Sequence, residues 1–140
     1  MSDFVFSVAS INWNAGHSIR VYASNGKTVS EKCWDGGPWY TGALTAPGQA
    51  VGSASWVDSA GQVHIRTYVS NQNKITEYCW DKNEWNVGGF SSDGTTSSAT
   101  AWYQNNSVHL RVYVTKANGQ VQEQCWDGNG PWYVGAYTES

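Results

Sequence analysis

Charged side chains are scarce in this sequence. Asp, Glu, Lys and Arg make up 14% of the 140 residues, only eight residues are basic, and the formal net charge is −3. A groove that binds nucleic acid needs clustered Lys and Arg, so we expect no nucleic-acid partner. Apolar runs are also short. None approaches the roughly 18 residues of a membrane span, and we expect no membrane insertion.

The N-terminus carries no recognisable targeting signal. Residues 1–4 lack the basic region and the following apolar stretch of a signal peptide. We therefore expect a protein that stays in the cytoplasm or leaves the cell by a non-standard route. Residues 1–6 are interpreted as a short lead-in to the first repeat.

Cysteine occurs only three times, as Cys33, Cys79 and Cys125, at intervals of 46 residues. Equivalent positions of a repeat point the same way and lie far apart, so we expect no disulfide among them. No Cys or His residues have the close spacing of a zinc site, and no carboxylate cluster matches calcium. We therefore predict three buried thiols, no metal and no cofactor.

Tryptophan and glycine are abundant, with nine and 15 residues respectively, and several recur with the cysteine period. The chain divides into three repeats, at about residues 7–48, 49–94 and 95–140, which we interpret as one domain. Each repeat has a strand ending in Trp, a strand with Arg, a strand with Glu and Cys-Trp-Asp, and a short last strand. No segment shows helical periodicity, so the sequence predicts an all-β fold of three four-stranded units.

The hairpin between the Arg and Glu strands has a register that its turn predicts. Asn25-Gly26 is a preferred two-residue turn, and centring the hairpin there pairs Arg20 with Glu31. The same register in the second repeat pairs Arg66 with Glu77, and the extra residue of the third repeat fits a longer, bulged loop. We therefore predict that Arg and Glu are direct cross-strand neighbours on one face in at least two repeats.

Strand alternation gives each repeat two different faces. Ile19 and Trp34 point away from Arg20 and Glu31, so one face carries Arg and Glu and the other an aliphatic residue and Trp. If the units pack face to face, the Arg–Glu face of one meets the Trp face of the next. Arginine occurs only three times, once per repeat at this position. A planar guanidinium group in each repeat favours ligand recognition over the alternative, a structural surface ion pair.

Two architectures accept three such repeats. A β-trefoil closes with three units in one chain. A β-propeller typically has four to eight blades, so three blades would need a second copy of the chain. The period alone does not decide between them.

Three motifs, in a fixed order, resemble a known family. They are residues 18–22 (Ser-Ile-Arg-Val-Tyr), 31–36 (Glu-Lys-Cys-Trp-Asp-Gly) and 39–43 (Trp-Tyr-Thr-Gly-Ala), with versions in every repeat. In this order they resemble the fucose-binding β-propeller lectins, the Aleuria-type family and its short bacterial relatives. The resemblance implies six blades with sugar bound between adjacent blades, and hence a homodimer of three-bladed chains. It also implies fucosylated glycans as partners.

Carried over residue by residue, the family pattern implies three kinds of site. Each takes Arg, Glu and a small residue from one repeat, and an aliphatic residue and two Trp from the next. The first site comprises Arg20, Glu31, Ala43, Ile65, Trp80 and Trp85. The second comprises Arg66, Glu77, Gly89, Leu110, Trp126 and Trp132. The third joins Arg111, Glu123 and Ala136 to Ile19, Trp34 and Trp39 of a second copy.

The chemistry of these residues fits a small sugar. Glu accepts hydrogen bonds from hydroxyl groups, Arg donates them, and indole rings offer an apolar plate and an N–H donor. We predict a non-enzymatic, multivalent lectin for L-fucose and fucosylated glycans. Two alternatives stay open: a β-trefoil lectin for another sugar such as galactose, and a glycoside hydrolase, which needs two carboxylates about 5–10 Å apart.

Two further sets of repeated residues receive simpler interpretations. The Trp that ends each first strand is predicted to pack in the core or between blades: Trp13, Trp56 and Trp102. The Asp after each Cys-Trp is predicted to form a turn: Asp35, Asp81 and Asp127. The second repeat replaces the glycine-rich lead into its second Trp by Lys82-Asn83-Glu84. We therefore expect the first site to close differently, and the third site to bind at least as tightly as the others.

Overall fold

The computed structural model describes residues 7–139, which form three four-stranded antiparallel sheets. The first sheet contains β1 (Ser7–Trp13), β2 (Ser18–Ser24), β3 (Thr28–Trp34) and β4 (Tyr40–Pro47). The second contains β5 (Gln49–Val57), β6 (Val63–Asn71), β7 (Lys74–Asp81) and β8 (Glu84–Asp93). The third contains β9 (Thr96–Gln104), β10 (Ser107–Thr115), β11 (Val121–Trp126) and β12 (Tyr133–Val134). The lead-in at residues 1–6 and its expected lack of a signal peptide lie outside the described residues.

Each sheet is a meander in which strands pair in chain order, so each is one blade (blades 1, 2 and 3). The first strands of the blades lie next to one another, with β5 in contact with both β1 and β9. Three separate four-stranded sheets arranged in this way are consecutive blades of a β-propeller. The predicted all-β fold is therefore confirmed, and the β-trefoil alternative is wrong.

The hydrophobic core lies between the blades, because each strand alternates its side chains between two faces. In β10, Val108, Leu110, Val112 and Val114 are all buried, and the intervening side chains are only partly so. One core cluster joins blade 1 to blade 2 through Ile11, Tyr22, Val29, Leu44, Ala46, Ala50, Ile65 and Val69. A second joins blade 2 to blade 3 through Tyr68, Ile75, Phe90, Val112 and Val114. The predicted face-to-face packing of unlike faces is confirmed.

The connection from blade 1 to blade 2 depends on Gly48. Its φ of +119° is an angle that glycine adopts readily and other residues rarely do. A Cβ at this position would also lie 2.3 Å from the carbonyl oxygen of Ser70. The hydroxyl of Ser24 donates to the Gly48 carbonyl (2.7 Å), and the Gly48 N–H donates to the Lys27 carbonyl (2.8 Å). These bonds fix the point at which the chain leaves β4 and enters the inner strand of the next blade.

The predicted hairpin register is wrong by two residues. In blade 1, Arg20 lies opposite Cys33 and Tyr22 lies opposite Glu31, so Arg and Glu are not direct cross-strand neighbours. The two turn residues are Gly26 and Lys27, with positive φ at Gly26 only, as in a type II′ turn. Asn25 stands before the turn, and its side-chain oxygen accepts from the N–H groups of Lys27 and Thr28 (both 3.0 Å).

The other two hairpins show the same shift. In blade 2, Arg66 pairs with Cys79 and the turn is Gln72-Asn73, both with positive φ. Blade 3 keeps the pairing of Arg111 with Cys125, and its extra residue lies in a longer loop with Gly119 at a φ of +86°. Because the register differs from the prediction by two residues, every side chain stays on its predicted face.

In residues 7–139 no helix is long and apolar enough to cross a membrane.

Candidate functional site

Two grooves open between neighbouring blades, and each is lined by one Arg–Glu face and one Trp face. Groove 1, between blades 1 and 2, encloses about 290 Å³. Groove 2, between blades 2 and 3, encloses about 460 Å³. The structure brings all six residues predicted for the second site to groove 2, and five of the six predicted for the first site to groove 1. Both cavities are of the order of 300 Å³ or more that small-ligand sites enclose.

Each groove arginine is fixed by three kinds of contact. Nη1 of Arg66 donates to the carbonyl oxygen of Ile65 (2.9 Å) and to Oδ1 of Asp81 (3.1 Å). The guanidinium group also lies over the ring of Trp56, with Cζ 4.8 Å from the ring centroid. Within residues 7–139 the hydrogen bonds of Arg66 all come from Nη1, which leaves Nη2 as a donor for a ligand. Arg20 and Arg111 stand on Trp13 and Trp102 in the same way, at 4.6 and 5.1 Å.

The repeated aspartates therefore do more than form turns, and our sequence interpretation missed their ion pairs. Asp35, Asp81 and Asp127 each accept a hydrogen bond from the arginine of their own blade, at 3.0, 3.1 and 2.9 Å. Burial raises the pKa of Asp35, but hydrogen bonds from Arg20 and Tyr40 outweigh this effect and lower its pKa to about 2. The Asp35 carboxylate thus stays ionised and holds its arginine in place at neutral pH.

The support of these aspartates differs between blades. In blades 2 and 3 a histidine adds to the pair: His64 contacts Asp81 through Nδ1, and His109 contacts Asp127 through Nδ1 at 2.7 Å. Each histidine ring is stacked on the Trp that also carries the arginine, with ring centroids 5.0 and 5.1 Å apart. The first-strand Trp residues are therefore part of the arginine support, a role that the predicted packing role did not include.

The groove glutamates are buried, and each carboxylate oxygen accepts one hydrogen bond from the protein. Glu77 is 3% exposed, its Oε2 accepts from the hydroxyl of Tyr68 (2.7 Å), and its Oε1 accepts from the N–H of Phe90 (3.3 Å). Tyr22 and Leu44 serve Glu31 in the same way in blade 1. Sequence reasoning did not identify the tyrosine, although it recurs two residues after each groove arginine. Together these bonds fix the carboxylate as a rigid acceptor for hydroxyl groups.

A glycine lies against each glutamate and was not predicted as a site residue. A Cβ on Gly42, Gly88 or Gly135 would lie 2.0–2.1 Å from the glutamate Oε1 and 2.6–2.7 Å from the neighbouring cysteine sulfur. The three cysteines are free and buried, as predicted. Burial raises the pKa of Cys79 to about 12, so the thiol is neutral and serves as part of the groove floor.

The two Trp pairs differ between the grooves. In groove 2 the rings of Trp126 and Trp132 are 6.4 Å apart and tilted by 28°, and both line the cavity. In blade 2 the rings of Trp80 and Trp85 are 5.6 Å apart at 61°, and only Trp80 lines groove 1. Trp85, which the sequence predicts for the first site, does not line groove 1 in this structure. Trp85 lines a separate depression with Leu44 and packs edge-on against Tyr22, with centroids 5.9 Å apart.

The side chain that neighbours the second Trp also differs between the grooves. In blade 2, Phe90 packs on Tyr68 (5.5 Å between centroids) and keeps Trp132 at 4.8 Å on its outer side. Blade 1 has the smaller Leu44 at the equivalent position, and Trp85 packs there against Tyr22 and is the direct cross-strand partner of Trp80. There the indole Nε1 is buried and has no hydrogen-bond partner among the described residues.

The residues predicted for the third site lie on the two open faces of the chain. Arg111 and Glu123 stand on the free face of blade 3 with the same supports as in the other blades, including Tyr113 (2.7 Å to Glu123). On the opposite free face, Trp34 and Trp39 have rings 6.5 Å apart at 35°, close to the geometry of the groove 2 pair. Trp39 is 52% exposed there. Ile19 and Ala136 belong to the same two faces, so the chain does not bring the two halves of this site together.

The described part of the chain, residues 7–139, contains no group of three or more His, Cys, Asp and Glu side chains that could hold a metal ion. The donor set of each groove is one carboxylate, one guanidinium group and indole rings. These groups match a neutral polar ligand with an apolar patch.

Comparisons with known proteins agree with this geometry. A sequence model of the family described as "Fungal fucose-specific lectin" matches residues 4–91 and 59–140. The solved structure of a fucose lectin from Kordia zhangzhouensis, in complex with methyl-fucoside, has 42% identity and a TM-score of 0.80. The match covers 95% of this chain and 100% of the chain of the Kordia lectin. No curated protein matches the chain by sequence.

Two other solved structures are longer than this chain. The SapL1 lectin in complex with alpha methyl fucoside has 34% identity and a TM-score of 0.75, over 94% of this chain and 47% of its own. AofleA from Arthrobotrys oligospora has 18% identity and a TM-score of 0.72, over 95% of this chain and 43% of its own. This chain thus spans about half the length of these two proteins, and AofleA is similar in fold alone.

Proposed function

Because this chain belongs to the family of fungal fucose-specific lectins, we propose that its inter-blade grooves bind the L-fucose units of glycans without chemical change. The single observation that carries this proposal is the lining of groove 2. There the Arg66 guanidinium group, the Glu77 carboxylate and the two indole rings of blade 3 face one cavity. Their donors, acceptors and apolar plates are those that the hydroxyl groups and the methyl side of fucose require.

The roles of the groove residues follow from their contacts. The hydrogen bonds from Tyr68 and Phe90 hold the two carboxylate oxygens of Glu77 in fixed positions. We infer that the remaining lone pairs of these oxygens accept hydrogen bonds from two sugar hydroxyls. Arg66 has Nη2 free to donate to a hydroxyl or to the ring oxygen. Trp126 donates its Nε1–H to the carbonyl oxygen of Gly130 (3.1 Å), which orients its ring as an apolar wall. Gly89, Leu110 and Trp132 complete groove 2. In groove 1 the corresponding residues are Arg20, Glu31, Ala43, Ile65 and Trp80. Here Nη2 of Arg20 already donates to Oδ2 of Asp35 (3.3 Å) and to the hydroxyl of Tyr40 (3.4 Å).

Hydrolysis of a glycoside is not supported by this lining. Among the residues that line groove 2, Glu77 alone carries a carboxylate, and a glycosidase pair needs two such groups about 5–10 Å apart. Both oxygens of Glu77 are already hydrogen-bonded to the protein. We therefore expect no turnover of an aryl fucoside, and turnover that is abolished by Glu77→Gln would contradict the proposal.

We further propose that the chain is a single three-repeat domain that pairs with a second copy to close a six-bladed ring. Three blades leave two open faces of opposite kind, and a two-fold pair of chains covers both. Support comes from SapL1, whose chain is about twice as long as the part that this chain matches. A solution mass of twice 15.4 kDa is expected. A mass of one chain at micromolar concentration would contradict the ring and leave grooves 1 and 2 unaffected.

Titration calorimetry with methyl α-L-fucoside tests the sugar, with methyl β-D-galactoside as the control. Binding of a monosaccharide in an open groove is expected in the range of roughly millimolar to micromolar Kd. A ring with several such sites gains avidity of about 10²–10⁴ towards a glycan-coated surface. Equal affinity for the two sugars would contradict the proposed specificity.

A further inference from the structure

A second depression borders groove 1, and the indole ring of Trp80 is the wall between them. This rim depression is lined by Ala60, Gly61, Gln62, Val63, Trp80 and Asn83, and it encloses about 430 Å³. Trp80 also lines groove 1, together with Arg20 and Glu31 of blade 1. A ligand that fills groove 1 and extends past Trp80 therefore enters the rim depression directly.

The loop at residues 58–62 builds this depression, and blade 2 has the longest loop at this position. Five residues separate β5 from β6, whereas four separate β1 from β2, and β9 joins β10 through the two-residue turn Asn105-Asn106. The corresponding loop beside groove 2, whose Trp face comes from blade 3, is therefore three residues shorter. The rim depression thus depends on a loop length that groove 2 does not have.

The loop is held rigidly by Asp58. Its Oδ1 accepts from the N–H groups of Ala60 and Gln62 (both 2.9 Å), and its Oδ2 contacts Nε2 of His64 (2.9 Å). Its own N–H donates to the Gln62 carbonyl (3.0 Å). Because these bonds use the backbone of residue 62, the Gln62 side chain is free to face a ligand. A loop that is already ordered loses little entropy on binding.

The chemistry of the rim depression matches a neutral sugar. None of its six lining residues is charged, and its polar side chains are the amides of Gln62 and Asn83 beside an indole ring. An amide both donates and accepts hydrogen bonds, which suits hydroxyl groups, and the indole ring offers an apolar plate. An anionic group would find no cation in this lining.

We propose that the rim depression is a subsite for the neutral sugar to which a groove 1 fucose is attached. This inference rests on the proposed binding of fucose in groove 1. It makes groove 1 selective for fucosylated oligosaccharides, whereas groove 2 reads the fucose unit alone. The recessed position of Trp85 and the subsite thus give groove 1 a different ligand preference from groove 2.

The test uses the full chain with only groove 1 active. Trp126→Ala removes a wall of groove 2, Arg111→Ala removes the arginine of the third site, and both residues belong to blade 3. Calorimetry then compares methyl α-L-fucoside with a set of fucosyl disaccharides of different linkage. At least one disaccharide is expected to bind more tightly than methyl fucoside. Gln62→Ala is expected to weaken that disaccharide about three- to tenfold, the effect of one lost hydrogen bond, and to leave methyl fucoside unchanged.

Two further variants make the result decisive. Asn83→Gly removes the second amide and keeps the positive φ of +66° that this turn position requires, so it should have the same selective effect. Gln104→Ala changes an exposed glutamine on the same rim of blade 3 and should change neither affinity. Equal affinities of the unmodified groove 1 for methyl fucoside and all the disaccharides would overturn the subsite. The same would follow if Gln62→Ala and Asn83→Gly weakened the binding of methyl fucoside as much as that of the disaccharide. Failure of the unmodified protein to bind methyl fucoside in any groove would instead overturn the proposed function.

Discussion

A Cβ atom on Gly88 would lie 2.1 Å from Oε1 of Glu77. The carboxylate cannot give way easily, because Tyr68 and the N–H of Phe90 hold its two oxygens and the cysteine sulfur closes the other side. The same relationship recurs at Gly42 and Gly135. The glycine in each last strand thus makes room for the groove carboxylate.

We therefore expect Gly88→Ala to displace Glu77 and to abolish binding in groove 2 while groove 1 continues to bind. Gly89→Ala is the matched control, because a Cβ at Gly89 meets nothing within 4 Å and the other repeats have alanine there. Calorimetry should show one site fewer per chain for Gly88→Ala and an unchanged number for Gly89→Ala. Equal behaviour of the two variants would contradict this role of Gly88.

Leu44 is predicted to set the position of Trp85. Leu44→Phe fills the space into which the Trp85 ring sinks, so the ring should move outwards and groove 1 should bind methyl fucoside more tightly. Phe90→Leu is the reciprocal change and should let Trp132 sink and weaken groove 2. Acrylamide quenching of tryptophan fluorescence should increase in Leu44→Phe and decrease in Phe90→Leu.

A different result for Leu44→Phe would contradict the proposed control of Trp85 by Leu44. If Trp85 does not move, the added ring overpacks the core and lowers the free energy of unfolding by about 1–3 kcal/mol. Lower stability together with unchanged affinity and unchanged quenching would show that Leu44 does not control Trp85.

The sequence predicted which residues share a face, but not which residues lie opposite each other. Asn25 and Gly26 were both read as turn residues, whereas Asn25 precedes the turn and its side chain caps it. The turn lies one residue later than predicted, which shifts the strand register by two residues. Arg20 and Glu31 therefore lie on the same face, as predicted, but are not direct cross-strand partners. The grooves could therefore be predicted without the correct register, because they depend on faces.

Two features of the site depend on neighbours that a repeat pattern does not reveal. Asp35, Asp81 and Asp127 recur as regularly as the arginines, but their pairing depends on the shifted register, which brings the end of β3, β7 or β11 to the arginine. Trp85 matches the family motif but lies beside Leu44 and not in groove 1, and Leu44 is one residue beyond the motif. All six residues predicted for the second site line groove 2, where Trp132 packs against the bulky Phe90.

Acidification should weaken blade 1 through Asp35. The folded-state pKa of this group is about 2, below the roughly 3.9 of an aspartate in an unfolded chain. Its contribution to stability is therefore complete above about pH 4–5 and is lost as the pH falls towards 2. Thermal unfolding between pH 7 and pH 2 should show a decline in Tm across this window. Asp35→Asn should lower Tm at pH 7 and make the decline shallower.

The third site should be active in the proposed dimer and should bind at least as tightly as the other two. Its Trp34–Trp39 pair has nearly the ring geometry of the groove 2 pair (6.5 Å and 35° against 6.4 Å and 28°), and Arg111 has the same Asp support (2.9 Å). Arg111→Ala should therefore remove one site per chain and leave the solution mass unchanged, and Trp39→Ala should do the same from the opposite face. Arg66→Ala is the comparison, since it removes groove 2 only. A binding isotherm of Arg111→Ala identical to that of the unmodified protein would show that the open faces do not form a sugar site.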